Sequence, residues 1–367
     1  MTNNHVSFDK LESFMKDVFV KAGVPEQDAA VCAEILIESD KRGIDSHGVG
    51  RFKPIYIDRI KDGIQNPVTN FEVVKDHLAT AVVDGHDGMG QVIGKKSMQM
   101  AIDKAKKYGL GMVVARNSTH YGIAGYYAAM AAKQDMIGIT GTNARPSIAP
   151  TFGIDNMLGT NPLTFGIPSD EEFPFMLDCA TSVSQRGKIE HYERINKEMP
   201  EGWVINRDGT SETTAAKALK GLSGDTCALA PLGGLGEETA GYKGYGYATV
   251  VEILSAALQQ GQFLKALNGL DENGKKIPYH LGHFFIAVDI NAFVEPEKFK
   301  KTTGDILRQL RASAKAPGQQ RIYTAGEKEY LAWLERKDLG VPMNDSLKKT
   351  IKSLVEEYKL DNYQFDF

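Results

Sequence analysis

AVVDGHDGMGQVIG, residues 81–94, passes from a β-like apolar run through a glycine-rich turn into a helical stretch. Strand, glycine turn and helix in that order open a dinucleotide-binding unit, where glycines let a pyrophosphate approach a helix N-terminus. The spacing here is wrong for that use. Gly88 and Gly90 are followed by Gly94, one residue later than a third fingerprint glycine, and the next strand ends in Arg116 where an acid would read the ribose. The expected fold is α/β without a Rossmann site.

The pattern extends outward in both directions. β-like runs at 79–84, 112–115 and 137–140 alternate with helical stretches at 91–108 and 123–133, which predicts an α/β core. The chain before residue 71 reads as helical. Leu11, Phe14, Met15, Val18 and Phe19 recur at helical spacing after a Ser7 cap and before Gly23. Pro25 opens a second helix that ends near Gly43, and a third runs from about Ser46 to Gly63, distorted by Pro54. Residues 141–187 are rich in Gly, Pro, Thr and Asn and predict irregular backbone at the surface or lining a cleft. Residues 190–238 are the least patterned. Regular structure resumes as a helix at 247–258, a strand at 283–289 and a closing helix carrying Leu347, Ile351, Leu354 and Val355.

Composition excludes several function classes. With 42% apolar and 25% charged residues in 367, the chain can build a sizeable core. Its formal charge of −4 comes with scattered Lys and Arg, so no phosphate-tracking stripe exists and nucleic acid is not expected as a partner. Met1 to Lys10 lack the apolar core of a signal peptide, and no apolar run is long enough for a membrane span. Cys32, Cys179 and Cys227 are odd in number and form no CxxC pair, which fits a reducing, cytoplasmic compartment.

Two histidine segments carry the chemistry. In Asp45-Ser46-His47-Gly48-Val49-Gly50-Arg51, a Ser46 cap would place His47 in the first helical turn, with Arg51 over the same face. The helix terminus would lower the His47 pKa, and Arg51 offers a fork for a carboxylate. The same spacing also suits a surface helix start with an incidental histidine. Asn117-Ser118-Thr119-His120-Tyr121-Gly122 follows the 112–115 strand, where α/β sheets bind ligands, so His120 is a second candidate proton donor or acceptor. An exposed loop histidine fits that position equally well. Gly241-Tyr242-Lys243-Gly244-Tyr245-Gly246 precedes the 247–258 helix, so Lys243 and free amides could meet a phosphate. His280, His283 and Asp289 are not expected to hold a metal.

Together these segments resemble the malate/L-lactate dehydrogenase family, which lacks a Rossmann fold and includes ureidoglycolate, L-sulfolactate and diketogulonate enzymes. The matching pieces are DSHGVGR at 45–51, NSTHYG at 117–122, GTNP at 159–162, PFMLDCATS at 174–182, RGKIE at 186–190, GYKGYG at 241–246, GHFFIA at 282–287 and GEKE at 326–329. The resemblance implies an L-sulfolactate dehydrogenase-like α/β fold. A helical substrate and dimer unit would span 1–75, joined by 320–367, beside a mixed α/β cofactor-binding region at 76–319. It implies NAD- or NADP-dependent hydride transfer at C2 of a small 2-hydroxy or 2-oxo acid, malate and oxaloacetate favoured, in a homodimer. His120 would be the acid/base, His47 would polarise the same oxygen, and Arg51 would bind the substrate carboxylate. Tyr56 resembles the family's pocket tyrosine, with Lys53 as one extra residue before it. Asp178, Ala180, Thr181, Ser182, Lys243, Gly326 and Glu327 would bind the cofactor. Lactate, ureidoglycolate, sulfolactate, diketogulonate or a cyclic imino acid are alternative substrates, and a binding protein that has kept only the fold is the alternative outside enzymes.

Overall fold

The computed structural model describes residues 5–367, so the first four residues of the 1–75 segment lie outside the described residues. The chain opens with β1 (His5–Val6), α1 (Phe8–Lys21), α2 (Glu26–Lys41), a short α3 (Val49–Arg51), a π-helical turn (Phe52–Ile57) and α4 (Asp58–Lys61). Next come β2 (Glu72–His77), β3 (Thr80–Asp84), α5 (Gly90–Tyr108), β4 (Leu110–Ser118), α6 (Ala124–Ala132), β5 (Met136–Thr142), β6 (Leu163–Ile167) and β7 (Phe175–Cys179). A small lobe holds α7 (Arg186–Arg194), β8 (Val204–Asn206), α8 (Ala215–Ser223) and β9 (Cys227–Leu229). The chain ends with α9 (Gly241–Ala256), β10 (Leu281–Asp289), α10 (Pro296–Ala312), α11 (Glu327–Arg336), β11 (Val341–Pro342) and α12 (Asp345–Tyr358).

Seven strands form one sheet in the order β2-β3-β4-β10-β5-β6-β7. Within it only β3 and β4 pair in parallel. β4 and β5 run the same way, yet β10 lies antiparallel between them. A strand from late in the chain thus separates β4 from β5, which run in the same direction. Alternation along the central strands decides their two faces. Val113, Ala115, Phe285 and Ala287 pack in the core under α5 and α6, while Val114 and Phe284 meet Val251 of α9 on the other side. A separate core gathers α1, α2 and the π-helical turn with Val341, Ile351 and Leu354 from the C-terminal end.

The expected β–helix–β crossover is present in β3, α5 and β4, but its glycines serve packing. A Cβ on Gly90 would come within 2.3 Å of the Thr119 carbonyl oxygen, and one on Gly94 within 2.7 Å of the Tyr127 ring. The Gly90 amide donates to Thr119 Oγ1 at 2.9 Å and the Met89 amide to Thr69 Oγ1 at 3.2 Å. Hydroxyls therefore occupy the helix start that a Rossmann unit offers to phosphate.

Three segments depart from the sequence reading. Residues 141–187 contain β6 and β7 rather than irregular backbone throughout. Gly166, which weakens the β pattern, is required because α6 crosses so closely that a Cβ would lie 2.7 Å from the Ala128 oxygen. β2 has no alternation to read because all of it is exposed. α9 begins at Gly241, so the GYKGYG motif is its first turns and not a loop before it. The 232–234 backbone presses on that helix, leaving 2.1 Å for a Cβ at Gly241 and 2.2 Å at Gly244.

Candidate active site

β4 ends at Ser118 and delivers His120 into a turn, while the segment after α2 delivers His47. Their rings stack 5.7 Å apart at 18°. The two histidine motifs, far apart in the chain, thus meet at one place. Arg51 is anchored beside them, its Nε donating to the Ser46 carbonyl at 2.6 Å.

His47 does not sit inside a helix. α3 begins at Val49, after the Gly48 cap, so the expected helix-terminus effect is not the cause of its low pKa. Burial lowers that pKa to about 4, and the Arg51 charge adds to the effect. His120 is pushed well below the ordinary histidine range, by burial first and then by His47, Arg59 and Arg51. Both rings are neutral at physiological pH.

Tyr56 is fully buried, and its Oη stands 2.7 Å from His120 Nδ1. Residues 52–57 form a π-helical turn, which takes one more residue than an α-turn, and Pro54 lies within it. Gly122 N–H donates to the same Nδ1 at 3.3 Å. A nitrogen accepting from an amide carries no proton, so Tyr56 Oη–H donates to it too. The neutral ring then carries its proton on Nε2, which bonds no described residue.

Sequence reasoning missed three neighbours. Arg59 lies over the Tyr279 ring at 4.4 Å, and its pKa is lowered by burial and by the nearby charges of Arg145 and Arg51. The charges of Arg51 and Arg59 thus bear on the neutral His120, Arg51 bears on His47 as well, and Arg145 bears on Arg59. The available signals were weak: Arg59 lies about two helical turns beyond Arg51, and Arg145 stands in the Gly/Pro/Asn-rich segment expected to line a cleft. His283 on β10 lies beneath the site. Its Nδ1 and Nε2 each stand 2.7 Å from a hydroxyl, Thr142 Oγ1 and Ser118 Oγ, and its ring stacks on Tyr121 at 4.5 Å. Burial lowers its pKa to about 3, so it props β4 and β5 as a neutral group. His280 instead pairs with Asp87 at 2.8 Å. Among the described residues no group of three metal-ligating side chains occurs.

The expected cofactor residues divide into two groups. Asp178 and Gly326 share a cleft of about 540 Å³ with Arg42, Phe173, Tyr330 and Trp333. The Asp178 carboxylate accepts from Gly125 N–H at 2.6 Å and Thr164 Oγ1 at 3.0 Å, and burial still raises its pKa. Gly125 lies in the first turn of α6, shortly after His120, so one stretch of chain serves both the cleft and the histidine pair. Gly326 has φ +92°, and a Cβ there would lie 2.7 Å from the Pro174 oxygen. An aromatic-walled cleft of this size, with Arg42, Lys133 and Lys300 among its carboxylates, fits a nucleotide.

The other expected cofactor residues are arranged differently. Thr181 Oγ1 lies 3.0 Å from the Asn161 carbonyl and 3.1 Å from that of Thr160, and Ser182 Oγ donates to the Ser184 carbonyl at 2.7 Å. Glu327 is buried against Arg321 and accepts from Thr324 N–H at 3.1 Å, while Ala180 is half-buried after β7. Lys243 is exposed in the first turn of α9, its Nζ 5.9 Å from the Tyr242 ring.

Two stacked neutral histidines thus lie beside Arg51, in a fold whose sheet β10 splits and whose glycine turn forms no Rossmann unit. The profile of the family described as malate/L-lactate dehydrogenase matches residues 6–352, and the chain belongs to that family. It is 44% identical over 348 residues to a malate dehydrogenase of Pyrococcus horikoshii, covering 95% of this chain and 93% of that one. It is 40% identical over 347 residues to an L-sulfolactate dehydrogenase of Methanocaldococcus jannaschii, covering 94% of each. The crystal structure of malate dehydrogenase from Entamoeba histolytica superposes with a TM-score of 0.94 at 44% identity, covering 99% of both chains. The chain is a dehydrogenase of the 2-hydroxyacid type. Among the described residues no helix is long and apolar enough to cross a membrane.

Proposed function

We propose that this enzyme reduces a small dianionic 2-oxo acid, oxaloacetate first, and oxidises the matching 2-hydroxy acid, with NAD or NADP as cofactor in the cytoplasm. The observation that carries this reading is the pair Arg51 and Arg59, both acting on the buried His120 that stacks on His47, with Arg145 acting on Arg59. One guanidinium pairs with the carboxylate beside C2, and a second is available for another acidic group. The names of the two relatives, malate and L-sulfolactate dehydrogenases, both belong to enzymes of dianionic acids.

When bound, the nicotinamide supplies or accepts the hydride. Asp178, Gly326 and the aromatic wall of their cleft would hold the dinucleotide. Arg51 orients the acid, and His47 polarises the oxygen at C2. His120 Nε2–H donates to that oxygen during reduction while Nδ1 takes the Tyr56 Oη proton, which leaves a neutral imidazole and a Tyr56 phenolate that regains a proton from solvent before the next turnover. Burial opposes the phenol's loss of that proton, while Arg59 and Arg51 ease it.

The test compares oxaloacetate with pyruvate, which lacks the second carboxylate. Wild-type kcat/KM should favour oxaloacetate by about a hundredfold, the worth of a charged hydrogen bond of ~3 kcal/mol. Arg59→Gln should remove most of that preference while leaving pyruvate turnover within a few-fold. Equal use of both acids by the wild type would sink the dianion reading.

We also propose a homodimer, with residues 1–75 and 320–367 as its helical substrate and dimer unit and α9 of the 76–319 region adding to the interface. α9 carries apolar residues on all sides, leaving Tyr242, Tyr247, Val250 and Ile253 about half exposed, and a helix apolar all round belongs in an interior. Light scattering should give about twice the 40.2 kDa chain mass. Val250→Asp with Ile253→Asp should return the monomer mass; a wild-type monomer contradicts the assignment.

A further inference from the structure

Asp40 lies at the end of α2, 2% exposed, outside the groups that face the substrate. Its Oδ2 accepts from Val49 N–H at 2.8 Å. A Cβ on Gly48 would fall within 2.1 Å of Oδ1 and 2.2 Å of Cγ, so glycine alone lets the carboxyl group lie against this turn. The same segment is tied at its other end. Ser39 Oγ donates to the Ile44 carbonyl at 2.7 Å, and Arg336 of α11 donates to the Asp40 carbonyl at 2.8 Å and to Asp45 Oδ2 at 2.9 Å. Between these ties stand Ser46 and His47, and Arg51 follows one turn later.

We infer that Asp40 is a positioning residue for the reaction: its carboxyl group, seated under Gly48 and bonded to Val49, sets where His47 and Arg51 stand. The inference rests on the reading that His47 and Arg51 face the substrate. Burial raises the Asp40 pKa to about 8, with Asp45 adding to the rise and Val49 N–H and Arg336 opposing it. These are the charged groups that face it, from the following loop and from α11. The group is therefore mostly neutral at physiological pH, and a neutral amide of the same shape can replace it. An ionised Asp40 would carry a nearly isolated charge in the interior, which folding disfavours.

Asp40→Asn and Asp40→Ala separate positioning from mere stability. The alanine variant should lose about a hundredfold in kcat/KM for the 2-oxo acid, as a displacement near 1 Å can cost. The asparagine variant should stay within about threefold of wild type, and the Kd for NADH, read by fluorescence, should not change in either. Gly48→Ala perturbs the same contact from the other side and should resemble Asp40→Ala, which covers the case in which the alanine variant does not fold. Full activity in Asp40→Ala or Gly48→Ala, or an asparagine variant as weak as alanine, overturns the inference. If the wild type reduces no 2-oxo acid, the functional reading fails and an NMR titration of His47 decides this one. A His47 pKa raised in Asp40→Ala, but not in Asp40→Asn, supports it; no change in Asp40→Ala overturns it.

Discussion

His120→Asn is expected to lower kcat for reduction by about 10²- to 10⁴-fold, the range for loss of a positioned proton donor. The cofactor Kd should hold, because Asp178 and Gly326 line a cleft that His120 does not. The pH dependence makes the assignment specific. The folded-state pKa of His120 lies well below the ordinary value, so the neutral Nε2–H form persists across the neutral range. Wild-type kcat/KM for reduction should be flat between about pH 6 and 8, with Tyr56 supplying the following proton. An imidazolium acid would instead lose about tenfold per pH unit above its pKa. Steady-state rates across that range check the point, and a decline of that steepness would contradict the neutral-donor account.

Arg51→Ala should lower kcat/KM by about 10²- to 10³-fold for every 2-oxo acid, since truncating a charged partner in a partly buried site costs several kcal/mol. Its Nε is already held by the Ser46 carbonyl, so the guanidinium approaches the substrate in a fixed orientation. Arg51→Lys should recover little, because an ammonium cannot reproduce the planar fork. Initial rates over a substrate series check this, and kinetics unchanged in Arg51→Ala would remove the carboxylate role.

Much of the fold is legible in the sequence. The spacing of Leu11, Phe14, Met15, Val18 and Phe19 marks α1, and all five are buried. The late third glycine and Arg116 exclude a Rossmann unit, and the structure has Arg116 bonded to Asp84 at 2.8 Å. The strand at 283–289 is visible as an element. Its insertion between β4 and β5 is not, because strand order is a long-range property that local periodicity does not encode. At the site, spacing alone implies a low His47 pKa through a helix terminus, whereas the actual cause, burial, needs the packed neighbours. Arg59 offers only its spacing from Arg51, since a single arginine on a helix shows no further pattern until it stacks on Tyr279.

The most direct test of hydride transfer follows the hydrogen itself. The enzyme is incubated with NADH or NADPH carrying deuterium at C4 of the reduced ring and with oxaloacetate, and the product is analysed by mass spectrometry. The account predicts malate with deuterium at C2, from one C4 face of the cofactor only. Cofactor that binds while no deuterium reaches any 2-hydroxy acid, across oxaloacetate, pyruvate and a sulfonated oxo acid, would contradict it.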